Sequence, residues 1–400
     1  MNIAVAQSGG PTCAINASLA GVVRQAFKEE KIEKVFGSRN GIEGIICDNL
    51  VLLNDVMKND GDFELLIRTP SSALGSCRYK LPDYRTDDAP YLKIEECLKK
   101  HSIDVFFYIG GNDSMDTVAK LDEYFSKKGS DVRFIGIPKT IDNDLVETDH
   151  TPGFGSAAKY VLTTTNEIIR DTSVYDLKSV MIIEIMGRQA GWLAASTVAL
   201  RANGINKPQL IYLPEGDFKV ESFIEDVKHE LSKENVVIIA VSEGIELDDD
   251  TAQVTSRPDG FGHKNLGGIG KQLENIVKDR IGCKVRSVEL NVLQRCASHF
   301  ASRTDLEEAE EVGAQAVKQA LSGASGVMIT IERINDKPYK VDYKAVEAKK
   351  VANNEKPFCK EWLNEKKNNV LDDAIGYFLP LIEGEVTMIT ENGIPLHFEI

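Results

Sequence analysis

The strongest constraint on the fold is an alternation of short apolar runs with longer stretches of helical spacing. The runs are NIAVAQ (2–7), DVFFYIG (104–110), VRFIGIP (132–138), SVMIIEIM (179–186), PQLIYLP (208–214), NVVIIAVSEG (235–244) and KVRSVELNV (284–292). Most are apolar throughout rather than at every second position, the pattern of strands covered on both faces. Helix-like stretches fall at 15–30, 88–101, 114–128, 156–171, 190–202, 219–233, 265–281 and 304–322. This predicts an α/β chain with two doubly wound, Rossmann-like lobes and mainly parallel sheets. The expected division is 1–137 with 257–305 in one lobe, and 138–256 with 306–330 in the other. Residues 331–400 are richer in Lys, Glu and Asn and read as a C-terminal extension or cap. The loop SRPDGFGHKNLGGIG (256–270) reads as a crossover between lobes.

In such folds ligands sit at the carboxyl ends of the strands. The glycine- and charge-bearing motifs fall there: SGGP after the first run, GGNDS (110–114) after the second, KTIDND (139–144) after the third, then MGR (186–188) and SEG (242–244). A net charge of −15 argues against a general nucleic-acid or anionic-membrane binder. It leaves room for a local phosphate site built by a few arginines and lysines. No apolar run reaches the roughly 20 residues of a membrane span, and the start of the chain reads as folded structure rather than a signal peptide. Seven cysteines without CxxC spacing read as reduced thiols in a cytoplasmic protein.

Each motif has a plain structural reading beside a chemical one. Paired glycines in QSGGP make a tight strand-to-helix turn, and also let backbone N–H groups approach an anion. In GGNDSMD, Ser114 or Asp113 could cap the next helix. That explains one residue, whereas a phosphate or Mg²⁺–phosphate site explains the set. The acids of KTIDND could form an Asx-rich turn. A lysine beside them, next to a glycine-rich loop, suits charge on a transferring phosphate, and a strand-end carboxylate can accept a hydroxyl proton. Arg78, Arg188, Arg286 and Arg295 carry the planar fork that grips two phosphate oxygens, or else make surface ion pairs. GFGSAA (153–158) follows DHTP rather than a strand and reads as a helix start. His150 and His299 stand alone and read as structural or surface residues.

Taken in order, AQSGGPTCAINA (6–17), LGSCRY (74–79), IGGNDSMDT (109–117), PKTIDND (138–144), EIMGRQAGW (184–192), SEG and LQR (293–295) resemble the phosphofructokinases over residues 1–330. Members that use ATP usually have glycine at the positions of Asp113 and Lys139. Members that use inorganic pyrophosphate have aspartate and lysine, as here. The resemblance implies an enzyme moving a phosphoryl group from pyrophosphate to fructose 6-phosphate, with Mg²⁺, in both directions. It implies Asp142 as proton acceptor and Asp144 and Asn112 as the metal residues. Asp113 would repel an ATP α-phosphate, and Lys139 would supply charge at the short donor. Gly10 and Arg78 would contact the donor. Thr140, Ile141, Met186, Gly187, Arg188, Glu243 and Arg295 would line the sugar-phosphate pocket. The first lobe would bind the donor and the second the sugar phosphate. Arg286 aligns with an arginine that crosses between subunits, which implies a homodimer or homotetramer with a shared site.

Some positions depart from the family. Asn112 stands where aspartate is usual, Val292 where ATP-using members often have histidine, and Ser179, beside Lys178, where they have a crossing arginine. Two alternatives stay open: an ATP-dependent phosphofructokinase, and a non-catalytic homologue that binds sugar phosphate. The latter would be expected to have lost Asp142 or Lys139, and both are present.

Overall fold

The computed structural model describes residues 1–247 and 268–400. Its strands, in chain order, are β1 (Asn2–Gln7), β2 (Lys34–Ser38), β3 (Leu50–Leu52), β4 (Ile103–Gly110), β5 (Arg133–Pro138), β6 (Ser179–Ile185), β7 (Leu210–Tyr212), β8 (Val236–Ser242), β9 (Lys284–Glu289), β10 (Val327–Asp336) and β11 (Tyr339–Glu347). A seven-stranded sheet runs β11-β10-β5-β4-β1-β2-β3, and a four-stranded sheet runs β7-β8-β6-β9. The smaller sheet is parallel throughout, and the larger is parallel except where β3 and β11 join its edges. The expected fold class of two lobes with mainly parallel sheets holds.

The continuous apolar runs have their physical cause in this layering. Every residue of β8 is buried, as is every residue of β1 and β5 after the first. One face of the larger sheet packs on α1 (Ile15–Lys28), and its other face on α2 (Asn112–Lys127). Each fully buried Ile, Leu or Phe contributes about 1.5–3 kcal/mol of transfer free energy. In the smaller lobe α3 (Phe154–Thr172) buries Phe154, Val161 and Leu162 against the sheet. It begins at Gly153, whose φ of 104° is open to glycine, so GFGSAA is a helix start as expected.

Two segments sit in sheets other than the expected division gave them. The division places 284–289 with the first lobe, yet β9 pairs in parallel with β6. The helix Ile269–Arg280 returns the chain alongside that strand, as a parallel crossover does. The division places 327–330 with the second lobe and 331–347 in the cap, yet these residues extend the larger sheet, because β10 pairs with β5 through Val327 and Met328. The helix before them, α4 (Arg303–Leu321), lies against α1 so closely that a Cβ on Gly21 would meet the Glu310 carbonyl at 1.9 Å. After 347 the chain packs onto both lobes. Phe358, Phe378 and Leu381 enter the core of the smaller lobe, while Phe398 and Ile400 pack against the larger one. Except for its last three positions, the 256–270 loop lies outside the described residues. All seven cysteines are described and none forms a disulfide. Among the described residues no helix is long and apolar enough to cross a membrane.

Candidate active site

A cleft of about 510 Å³ opens where the carboxyl ends of β1, β4 and β5 face those of β6 and β8. It is built from turns that the sequence could make only with special residues. After β1, Gly9 takes φ 73°, and the chain then turns into α1, whose first amides Ala14 and Ile15 donate to the Thr12 hydroxyl at 3.2 and 3.0 Å. A Cβ on Gly10 would stand 3.2 Å from the Arg295 guanidinium, so this turn brings bare backbone against a cation. After β4, Gly110 and Gly111 lead directly into α2, which places Asn112 and Asp113 at its positive end. A Cβ on Gly110 would lie 2.0 Å from the Ser114 hydroxyl, which itself shares a 2.6 Å hydrogen bond with Ser8.

The loop after β5 carries the densest charge. Lys139 is 2% exposed, its amide donates to the Gly110 carbonyl at 2.9 Å, and its ammonium donates to the Gly10 carbonyl at 2.6 Å. Burial pulls the ammonium down to about 7, against the pull of Asp142. Thr140 fixes the next turn by accepting from the Asp142 amide at 3.1 Å. Burial pushes the Asp142 carboxyl up, while the Arg188 guanidinium 3.8 Å away opposes the shift. Asp144 is pushed up to about 6 by burial and then by Asp142. Between them Asn143 takes φ 55° and donates to the Tyr377 hydroxyl at 2.8 Å, which turns its side chain away from the cleft.

On the facing lobe Gly187 (φ 150°) and Arg188 (φ 52°) form the turn after β6. The Glu243 carboxylate holds that turn by accepting from the amides of Gly187 at 3.2 Å and Arg188 at 3.0 Å. Burial pushes the Glu243 carboxyl up. Arg78 enters from the loop after Gly75; burial, then Arg188 and Arg295, hold its guanidinium below its ordinary value. Three guanidiniums (Arg78, Arg188, Arg295) and two ammoniums (Lys80, Lys139) around glycine turns make a site for a multiply charged anion. Asp142 and Asp144 add hard oxygen donors of the kind magnesium takes, and a divalent cation would offset their mutual repulsion.

Of the expected residues, Gly10, Arg78, Asn112, Asp113, Lys139, Thr140, Ile141, Asp142, Asp144, Met186, Arg188, Glu243 and Arg295 line this one cleft; Gly187 does not, though its chain neighbours Met186 and Arg188 do. Arg286 does not. It is exposed on the edge strand β9, in a small separate cleft with Tyr175, Ser179 and Lys284. The other lining residues include Gly9, Pro11, Thr12, Gly111 and Ser114, which belong to the motifs already read, and Lys80, Asn353 and Glu355, to which the sequence reading gave no role. Lys80 follows Arg78 by two positions. Asn353 and Glu355 lie in a lysine-rich stretch that looks like any solvated face.

The phosphofructokinase family model matches residues 2–320. The chain belongs to the phosphofructokinase family. A pyrophosphate–fructose 6-phosphate 1-phosphotransferase of Halomonas elongata is 38% identical over 398 residues, covering 98% of this chain and 94% of that protein. One of Xanthomonas campestris is 39% identical over 405 residues, covering 100% of this chain and 96% of that protein. The crystal structure of a pyrophosphate-dependent phosphofructokinase from Nitrosospira multiformis aligns with a TM-score of 0.87 at 36% identity, covering 98% of this chain and 95% of that one. The phosphofructokinase match ends near the close of α4, so the β10–β11 hairpin and the cap lie beyond it, whereas the full-length relatives span them.

Proposed function

We propose that this phosphofructokinase transfers a phosphoryl group from inorganic pyrophosphate to the 1-hydroxyl of fructose 6-phosphate, giving fructose 1,6-bisphosphate and phosphate, and that it also runs in reverse. The observation that carries the reading is the pairing of Asp113 at the start of α2 with the buried Lys139 ammonium in one cleft. A short, highly charged donor fits the two ammoniums and three guanidiniums. A nucleotide would bring its α-phosphate toward the Asp113 carboxylate, where like charges repel. The names of the full-length relatives point the same way.

Asp142 accepts the proton of the sugar 1-hydroxyl as its oxygen attacks the nearer phosphorus; burial, which raises the carboxyl, makes it a better base. The new O–P bond forms as the bridging P–O bond breaks, and phosphate leaves with that electron pair. Lys139, Arg78 and Arg295 hold charge on the donor, and Arg188 spans the donor and the acid. Asp144, beside Asp142, would hold magnesium, which would neutralise charge on the phosphates. Thr140, Ile141, Met186 and Glu243 form the acceptor side, the last through the turn it holds. Arg286 completes that side from a second copy of the chain in a homodimer or homotetramer. The larger lobe is then the donor lobe and the smaller the sugar-phosphate lobe. Steady-state assays with pyrophosphate and with ATP test the reading. Turnover with pyrophosphate at least about a hundredfold more efficient in kcat/KM is expected; a preference for ATP would overturn it.

A further inference from the structure

The reading above gives no role to residues 353–358, yet Asn353 and Glu355 line the cleft beside Asp113. This strap is bonded along its length. The Asn353 amide donates to Oδ1 of Asn112, and Nδ2 of Asn112 donates to the Asn354 carbonyl, each at 2.5 Å. Nδ2 of Asn353 donates to Asp116 on the next turn of α2 at 3.2 Å. Further on, Glu355 pairs with Leu145, and the Lys356 amide donates to the Asp144 carbonyl at 2.7 Å. Beyond the cleft the Phe358 amide donates to the Glu215 carboxylate at 2.7 Å. The strap therefore runs from the start of α2, past the acid loop, to the smaller lobe.

We infer that this strap is the end wall of the donor site and that Asn112 is its clasp rather than a magnesium ligand, so that together they limit the donor to two phosphates in length. The inference rests on the pyrophosphate reading. The chemistry of residue 112 supports it. The strap presents one N–H and one C=O to this side chain, and only an amide answers both. An aspartate could accept from the Asn353 amide, but its second oxygen would face the Asn354 carbonyl, lone pair against lone pair. Both polar ends of Asn112 are thus engaged by the strap before any cation arrives, Oδ1 through one of its two lone pairs. The position of the strap supports the length limit. A nucleoside on the second phosphate would have to pass Asp113, and the way out on that side is flanked by Asn353 and Glu355. A wall whose backbone is held by side chains at both ends, Asn112 and Glu215, costs more to displace than a loose loop, since each bond adds to the opening free energy.

Hydrogen exchange and kinetics on Asn112→Ala and Asn112→Asp test this. In the ligand-free protein, amide exchange over 353–356 should rise about tenfold or more in Asn112→Ala, while the helix Val220–Lys233 exchanges as in the wild type and reports an intact fold. Asn112→Asp should raise KM for pyrophosphate about tenfold with kcat within about threefold, and should not lower the magnesium concentration for half-maximal rate. ATP, measured as a competitor of pyrophosphate, should bind more tightly to Asn112→Ala than to the wild type. Unchanged exchange over the strap would overturn the clasp. A lower magnesium requirement with unchanged KM in Asn112→Asp would return the residue to the metal site. Faster strap exchange with unaltered ATP competition would overturn the end wall. A wild type that does not turn over pyrophosphate would refute the functional reading instead, and the exchange data would still decide the clasp.

Discussion

Lys139 reaches from the end of β5 across the end of β4 to the turn after β1, where its ammonium donates to the Gly10 carbonyl oxygen at 2.6 Å. It is thus held over the anion site by backbone, and among the described residues no carboxylate is in hydrogen-bond contact to fix its charge. Burial leaves it at about 7, so a large share of empty sites lose that proton above neutrality. An arriving anion favours the charged form. Affinity for pyrophosphate should therefore fall as pH rises above about 7, approaching tenfold per unit, and Lys139→Met should lose this dependence. Calorimetric titrations from about pH 6 to about pH 9, compared as a ratio of wild type to variant, cancel the titration of pyrophosphate itself. A ratio that does not change with pH contradicts the assignment.

Donor choice should depend on Asp113 and Lys139 jointly. Asp113→Gly alone should admit ATP binding with weak turnover. Lys139→Gly alone should cripple the pyrophosphate reaction without admitting ATP. The double variant should use ATP better than the two single changes predict, by more than the roughly 0.5 kcal/mol within which independent sites add. The four proteins assayed for kcat/KM with both donors give this coupling, and strict additivity would refute joint control.

Asp142→Asn keeps the size of the side chain and removes the base. A fall in kcat of about 10²–10⁴-fold with little change in KM for fructose 6-phosphate is expected. Near-normal kcat would move the proton acceptor elsewhere.

Arg286 is exposed on an edge strand, beside the bare side chains Tyr175 (60% exposed) and Leu177 (57%) and two positions before Val288 (37%) on the same strand. A patch of this kind suits a second copy of the chain. Arg286→Ala should raise KM for the sugar phosphate with the fold intact. Mixed with Asp142→Asn chains, it should regain part of the activity in hybrid oligomers. Hybrids that demonstrably form and stay inactive would exclude a shared site.

His150 is buried between two carboxylates, with Nδ1 2.8 Å from Asp149 and Nε2 2.6 Å from Glu308. Burial alone would lower its pKa, but Glu308 and Asp149 outweigh this and raise it from 6.5 to about 9. The folded value lies above the unfolded one, so the stabilisation is fully present below about pH 6.5 and is lost as pH rises through about 9. It amounts to roughly 2–4 kcal/mol. Between those pH values the urea midpoint of the wild type should fall by more than that of His150→Gln. Parallel curves would mean that the imidazole is neutral throughout.

Parallel strands covered on both faces write themselves as unbroken apolar runs, which is why β4, β5, β6 and β8 were legible to within a residue or two. The strand-end motifs were legible because glycines and charges have little other reason to cluster there. Strands at the rim were harder. β2 is five residues long with an exposed start, and β11 alternates between half-buried and exposed positions, so neither shows a sustained apolar signal. Sheet membership of β9 depends on pairing with β6, which no local pattern encodes. His150 read as an isolated histidine because its partner Glu308 lies 158 residues away. Asn112 is a metal candidate only through the aspartate that the family has at its position; the backbone it grips is 241 residues further on, which no local pattern shows.

The order of the pocket along the chain also bears on how the protein comes into being. Every residue of the cleft up to Arg295 emerges from the ribosome before β10, which must then insert beside β5, a strand made nearly 200 residues earlier. Asn353 and Glu355 emerge later still. Contacts this distant in sequence close slowly. A nascent chain thus carries the anion-binding turns, with Asp113 and Lys139 in them, for a long interval before Asn353 and Glu355 join the cleft, and whatever the strap adds to donor choice is added last.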